Sequence, residues 1–294
     1  MQISANGIAI EIEDQGSPNG EPLLMIMGLG MQLTSWPDEL VQALVSRGFR
    51  VIRFDNRDAG LSQGFDHLGV PNIPLTTLQH FLRWPLKAPY ALADMARDAL
   101  GVLDVLGIAR AHVLGASLGG MVAQHLAAEN PGRLRSLNLM MTTSGARSLP
   151  QATLAARKVM LRRPQGRGEE ALVQHYVELF RVIGSPDYPH ESGMFRERAL
   201  RNVRRAFRPA GTLRQLVAVA ADGDRTPLLG RIKAPTHVIH GEADPLIPVE
   251  NGRDLARRIA NATSDFIAGM GHDLPLQLVP RYAEGLAVNA ARWA

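Results

Sequence analysis

Residues 115–119 read Gly-Ala-Ser-Leu-Gly, the pattern G-x-S-x-G. They follow a short apolar run at 111–114, which holds the β-branched Val113, and precede a small-residue apolar stretch at 120–127. Strand, sharp turn and helix in that order lift a serine hydroxyl over the end of a sheet. The flanking glycines let the turn close without Cβ clashes. The hydroxyl then lies beside a helix N-terminus, where N–H groups favour developing negative charge. The chemistry that suits Ser117 is nucleophilic attack on a carbonyl carbon. An unassisted serine is a poor nucleophile, so it needs a base, usually histidine, and that base needs an orienting carboxylate.

The chain has nine histidines. His272, within Gly269-Met270-Gly271-His272-Asp273, is the one in a loop that follows an expected strand near the C-terminus. His240 ends an expected strand ahead of the loop that should hold the acid. His125 lies on the helix after Ser117 and is expected to point away. His67, His80, His175 and His190 are expected in loops or in the helical insertion described below, as solvated side chains. Asp244 follows the strand expected at 235–240 and precedes Pro245, which makes it the candidate acid, with Glu242 its nearest rival. Asp222 and Asp224 are expected at the surface. The negative charge of a tetrahedral intermediate requires two N–H donors. They are expected from the backbone of Leu118, just after the serine, and of Leu29, in the Gly28-Leu29-Gly30 loop. Gly28 and Trp36 are candidate walls of the substrate pocket. This chemistry calls for no metal and no organic cofactor.

The elements that must bring these loops together alternate along the chain. Residues 2–6 and 8–13 alternate polar and apolar around Asn6-Gly7, a hairpin signal. Apolar runs at 22–27, 49–54, 111–114, 134–141, 235–240 and 264–268 suit strands covered on both faces. Helical patterns fall at 36–47, 92–106, 120–127, 249–259 and 279–293. Residues 63–90, proline-containing and aperiodic, are expected to be an irregular loop. Alternation of this kind implies a mostly parallel, doubly wound α/β sheet with helices on both faces. Ligands of such sheets bind beyond the carboxyl ends of the strands. Gly28–Gly30, the 55–62 loop, Ser117, Asp244 and His272 all fall at that end.

After the sixth strand the rhythm changes. Residues 144–225 carry helical patterns broken by prolines and no strand, so a helical cap is expected there. Residues 1–143 and 226–294 form the core. The segment 144–233 holds seventeen Lys and Arg against eight Asp and Glu, whereas the rest of the chain holds fifteen against twenty. The apolar residues of its helices at 152–161 and 171–183 are further candidates for pocket walls.

Composition narrows the function classes. The 294 residues are 46% hydrophobic and 20% charged, with a net charge of +4, which does not suit a disordered chain. No basic motif with interleaved aromatics points to nucleic acid. The absence of cysteine excludes disulfides, thiolate metal sites and a cysteine nucleophile, and fits a cytoplasmic location. No apolar stretch approaches the ~20 residues of a membrane span. A homodimer is the candidate assembly.

The motifs MGLG (27–30), FDNRDAGLS (54–62), GASLG (115–119), GEADPLIP (241–248) and GMGHDLP (269–275) resemble the α/β-hydrolase superfamily, in its capped esterase-like branch. With SWPDEL (35–40) they are similar to aclacinomycin methylesterase-like proteins, which hydrolyse a carboxylic methyl ester on a polyketide. The resemblance implies a serine hydrolase acting on small-molecule esters through an acyl-enzyme, with the triad Ser117, Asp244 and His272. Some relatives take the acid from the loop after the strand matching 134–141, but here that loop reads Thr142-Thr143-Ser144-Gly145. Relatives commonly have His-Gly where this chain has Met27-Gly28, so the backbone donor is kept and the histidine's contacts are not. Dehalogenases and epoxide hydrolases of the superfamily use an aspartate nucleophile, which Ser117 argues against. Lactone opening and cofactor-free perhydrolysis or haloperoxidase chemistry share the same triad. A ligand-binding homologue without turnover is the alternative of another class.

Overall fold

Successive residues of a strand face opposite sides of the sheet, and that alternation builds two cores here. In the computed structural model, which describes residues 1–82, 84–189 and 192–293, Leu24 and Ile26 join one apolar cluster while Leu23 and Met25 join the other. The eight strands are β1 (Gln2–Ala5), β2 (Ile8–Gln15), β3 (Glu21–Ile26), β4 (Phe49–Phe54), β5 (Ala111–Ala116), β6 (Leu134–Met140), β7 (Thr236–Gly241) and β8 (Thr263–Ile267). Their order is β1-β2-β4-β3-β5-β6-β7-β8. β1 and β2 are antiparallel to their neighbours, and β3 to β8 run parallel. This is the mostly parallel α/β sheet expected from the alternation, with a helical insertion after the sixth strand.

The helices are α1 (Asp38–Val45), α2 (Ile73–Phe81), α3 (Leu92–Val105), α4 (Leu118–Glu129), α5 (Leu154–Leu161), α6 (Glu169–Ile183), α7 (Ser192–Arg205), α8 (Pro209–Asp222), α9 (Thr226–Leu229), α10 (Glu250–Arg258) and α11 (Val279–Ala291). Residues of α3, α4 and α10 cover one face of the sheet. Residues of α1 and α11 cover the other. No described helix is long and apolar enough to cross a membrane.

Register aligns the carboxyl ends. Ile26 pairs with both Phe54 and Gly115, Ala116 with Met140, and Met140 with Ile239. The loops after β3, β4, β5 and β7 therefore leave the sheet along one edge.

Residues 63–90 differ from the expected irregular loop, because α2 lies within them. Asn72 caps it by accepting a hydrogen bond from the Leu75 amide at 3.1 Å. Pro74 sits in the first turn, where a missing N–H costs nothing. Pro74 is part of a helix start. His190 lies outside the described residues.

Buried ion pairs tie the insertion to the sheet edge. On α8, the fully buried Arg214 meets both oxygens of the fully buried Asp58, at 2.7 and 2.8 Å, in the loop after β4. Tyr90 donates to the same carboxylate at 2.9 Å. On α7, Arg205 meets Asp55 at 2.7 Å. Removing one partner of such a pair leaves the other charge buried and uncompensated. Arg214→Met is expected to cost ~3–5 kcal/mol, measured as a lower urea midpoint at unchanged slope. A midpoint shift within error would show that the pair does not hold the insertion down.

Candidate active site

The turn after β5 is held by its backbone. Ser117 has φ 53° and ψ −118°, a strained conformation for a residue with a Cβ. Its N–H donates to the Met140 carbonyl at 3.0 Å, and its own carbonyl accepts from the Thr142 hydroxyl at 2.6 Å and from the Gly120 and Met121 amides. Gly119 is required by close approach, since a Cβ there would run into the Ile26 carbonyl. The hydroxyl of Ser117 is thereby lifted clear of the strand.

His272 and Asp244 converge on it. Nε2 of His272 lies 3.1 Å from Ser117 Oγ, and its Nδ1–H donates to Asp244 Oδ2 at 2.7 Å. The backbone of His272 is fixed from the insertion, where its N–H donates to the Ile183 carbonyl at 2.7 Å. Asp244 uses its other oxygen to accept from the Leu246 and Ile247 amides, at 2.9 and 2.8 Å. Burial alone would raise the Asp244 pKa. The charges and hydrogen bonds of His272 and His240 more than offset it, and the carboxyl lies well below the usual carboxylate range. His240 donates from Nε2 to the Ile247 carbonyl at 2.7 Å, with that nitrogen 3.5 Å from Asp244 Oδ2. It braces the acid's loop from behind, which its position in the sequence did not suggest.

The loop after β3 is braced on three sides. The Met27 carbonyl accepts from Asn56 Nδ2 at 2.9 Å, the Gly30 N–H donates to Gln215 Oε1 at 2.8 Å, and the Leu33 N–H donates to Asp55 Oδ1 at 2.7 Å. The Met31 N–H closes a turn on the Gly28 carbonyl at 3.2 Å. Of the amides of residues 29–31, that of Leu29 is the one no described residue takes up. The Leu118 N–H belongs to the first turn of α4 and has no intrahelical acceptor. Gln215 is fully buried on α8, and its Nε2 donates to the Arg57 carbonyl at 2.8 Å. It had no local signal in the sequence, because its partner lies 185 positions away.

Ser117 and His272 open on a cavity of about 180 Å³. Its wall includes Gly28, Leu29, Met160, Tyr176, Leu179, Phe180, Ile183 and Leu246. A mostly apolar cavity with a few polar groups is the usual form of a small-molecule site. Gly28 lines it as expected, and the helices expected at 152–161 and 171–183 contribute to it. Trp36 does not. Its side chain is fully buried in the core against α1, outside the cavity wall. Glu242 pairs with Arg253 at 3.1 Å, whereas Asp244 reaches His272. Asp222 is not the surface residue expected: it is largely buried, 2.9 Å from His125 Nε2 and 2.6 Å from Arg225. His125 does point away from Ser117, into that cluster.

The model of the family described as the alpha/beta hydrolase fold matches residues 21–277, most of the chain. The chain is an α/β-hydrolase. This α/β-hydrolase is 32% identical to the rhodomycin D methylesterase of Streptomyces sp. strain C5, over 93% of this chain and 92% of that one. It is 31% identical, over the same shares, to the rhodomycin D methylesterase of Streptomyces peucetius. Among solved structures, the enol-lactonase of Burkholderia xenovorans matches with a TM-score of 0.71 at 23% identity, covering 99% of this chain and all of that one. The meta-cleavage product hydrolase of Pseudomonas fluorescens matches with a TM-score of 0.76 at 18% identity, covering 100% and 98%. At those identities the two structures speak for the fold alone.

Proposed function

We propose that this α/β-hydrolase cleaves carboxylic methyl esters through an acyl-enzyme on Ser117, with His272 as base and acid and Asp244 as its orienting carboxylate. The observation that carries the reading is the hydrogen-bonded chain from Ser117 through His272 to Asp244, opening on an apolar cavity. The similarity to two methylesterases, over 93% of this chain, supports the choice of ester. Residues 144–225 act as a cap that selects the substrate, over a core of residues 1–143 and 226–294.

The steps follow from the geometry. Ser117 Oγ attacks the ester carbonyl as His272 Nε2 takes its proton. The charge left on His272 is stabilised by the ionised Asp244. The tetrahedral oxyanion rests on the Leu29 and Leu118 N–H groups, which are fixed before substrate arrives and cost no reorganisation. Collapse breaks the carbon–oxygen bond, and His272 returns the proton to methanol as it leaves. Water then attacks the acyl group, giving its proton to His272, and the acid is released as Ser117 regains its hydrogen. Incubation with a methyl ester should yield acid and methanol in equal amounts. An ester left intact by enzyme that a fluorophosphonate nevertheless labels would contradict the reading.

Gln215 is a positioning residue in this scheme. By holding the Gly30 N–H it sets the orientation of the neighbouring Leu29 amide. Loss of an oxyanion donor costs on the order of 10²–10³ in turnover, and tilting one should cost part of that. Gln215→Leu is expected to lower kcat about 10-fold with KM little changed, because the donor acts most in the transition state. Inhibition by a boronic acid, which forms a tetrahedral adduct, should weaken by the same factor. A change in thermal stability without the matched losses would reduce Gln215 to a packing role.

A further inference from the structure

The polar groups on the cavity wall are nearly all engaged within the protein. Gln32 donates to the Asn202 and Ala206 carbonyls at 2.7 and 2.9 Å and accepts from Arg205 at 2.8 Å. Asn202 accepts from the Thr34 hydroxyl at 2.7 Å and donates to Ser35 at 3.2 Å. Asp273 accepts from the Ser185 hydroxyl.

Arg198 is different. It lies on α7 and lines the same cavity as Ser117, with its side chain only 18% exposed. Its nearest carboxylate oxygen, on Glu39, is 3.9 Å away, beyond hydrogen-bond reach. No described residue accepts a hydrogen bond from its guanidinium. Burial pulls its pKa below the ordinary value, with Glu39 opposing. A guanidinium carries five N–H donors in a planar fork that matches a carboxylate edge on. Here the guanidinium has an ion-pair partner in Glu39 but no hydrogen-bond acceptor among the described residues, so its donors are left unmade in the free protein, and an anion in the cavity would take them up. The Tyr176 hydroxyl, on the same wall, also makes no hydrogen bond to a described residue. Burial raises its pKa, so it remains a neutral donor.

We infer that Arg198 is a recognition site for a carboxylate on the substrate, so that the preferred substrates are acid esters: molecules bearing the scissile methyl ester at one end and a free carboxylate at the other. The inference rests on the ester-hydrolase reading for the scissile bond and on Arg198 for the second group. The carboxylate takes the planar fork of the guanidinium and the ester carbonyl lies at Ser117, so Arg198 acts on binding and not on the chemical step.

The test compares monomethyl and dimethyl esters of the dicarboxylic acids from succinate to suberate. The wild type should favour the monomethyl ester at one or two chain lengths. A charge-assisted hydrogen bond is worth a factor of about 10–100. Arg198→Met should therefore lower kcat/KM for that monoester by about 10- to 100-fold, mainly through KM. It should leave the diester within about 3-fold and should change thermal stability little, since the ion pair it breaks is a long one to the half-exposed Glu39. Arg198→Lys, which keeps charge without the fork, should fall between. Equal losses on both esters, or a wild type that prefers the diester at every length, would overturn the inference while leaving ester hydrolysis intact. Calorimetry with the free dicarboxylates separates the two readings. If no ester is turned over but dicarboxylate binding is lost in Arg198→Met, the anion site stands and the ester reading falls.

Discussion

Ser117→Ala is expected to leave a folded protein whose ester hydrolysis is lower by on the order of 10⁴–10⁶. The fold survives because the turn does not depend on the hydroxyl. The Ser117 N–H is held by the Met140 carbonyl, and its carbonyl is held by Thr142, Gly120 and Met121. Alanine keeps the same Cβ at φ 53° and so inherits the strain without adding to it. What disappears is the 3.1 Å contact with His272 Nε2 and, with it, the proposed nucleophile. The residual rate should resemble that of water attacking an ester held against the Leu29 and Leu118 amides. Matched circular dichroism and melting curves, with rates on a short p-nitrophenyl ester, measure both halves. Near-normal turnover in a well-folded Ser117→Ala would remove Ser117 from the mechanism.

The second large effect belongs to Asp244→Asn. Asp244 Oδ2 accepts from His272 Nδ1–H, which leaves Nε2 bare to take the serine proton. An amide at this position can turn its NH₂ group toward His272 and favour the opposite tautomer, and the corresponding change in a serine protease lowers kcat by ~10⁴. The loss should fall on kcat with KM little changed, because the cavity wall is untouched. Stability should fall as well, with a definite pH dependence. The folded pKa of Asp244 lies below its unfolded value of ~3.9, so the ionised carboxylate contributes stability above that value and loses it as pH falls toward the folded pKa. The gap in unfolding free energy between wild type and Asp244→Asn should therefore be full near neutral pH and narrow below about pH 4. A gap that widens in acid would mean that the carboxyl is not held ionised by His272 and His240. Asp244→Asn with turnover within a few-fold of wild type would reassign the acid, for which Glu242, paired with Arg253, has no contact in place.

The parts of the candidate site whose convergence could be anticipated from the chain are those with a local signature. G-x-S-x-G after an apolar run marks Ser117, because strand, tight turn and helix each leave a trace within a dozen residues. Asp244 and His272 follow from being polar residues just past apolar strands, in the order the fold requires. The parts that could not be read are set by packing across long separations. Trp36 stands a few residues beyond the Leu29 loop and looked like a wall of the pocket, but α1 turns it into the core against the sheet. Gln215 reaches Gly30 from α8, and nothing near either residue announces the pair. Asp222 resembled an exposed loop acid, and Arg225 pairs with it from three residues on, but His125, its other partner, is known only once α4 meets the end of α8. The arginine excess of the insertion was plain in the composition. Its division was not: Arg204 reaches Glu169 on the surface, Arg214 is spent on Asp58, and Arg198 faces the cavity.

The most direct measurement is to label the protein with a fluorophosphonate and map the adduct by mass spectrometry while following ester hydrolysis. A nucleophilic Ser117 predicts one adduct per chain, on the peptide that contains Ser117, with activity falling in proportion to labelling. An adduct confined to another residue, or a fully labelled Ser117 in a protein that still hydrolyses esters at its original rate, would contradict the account.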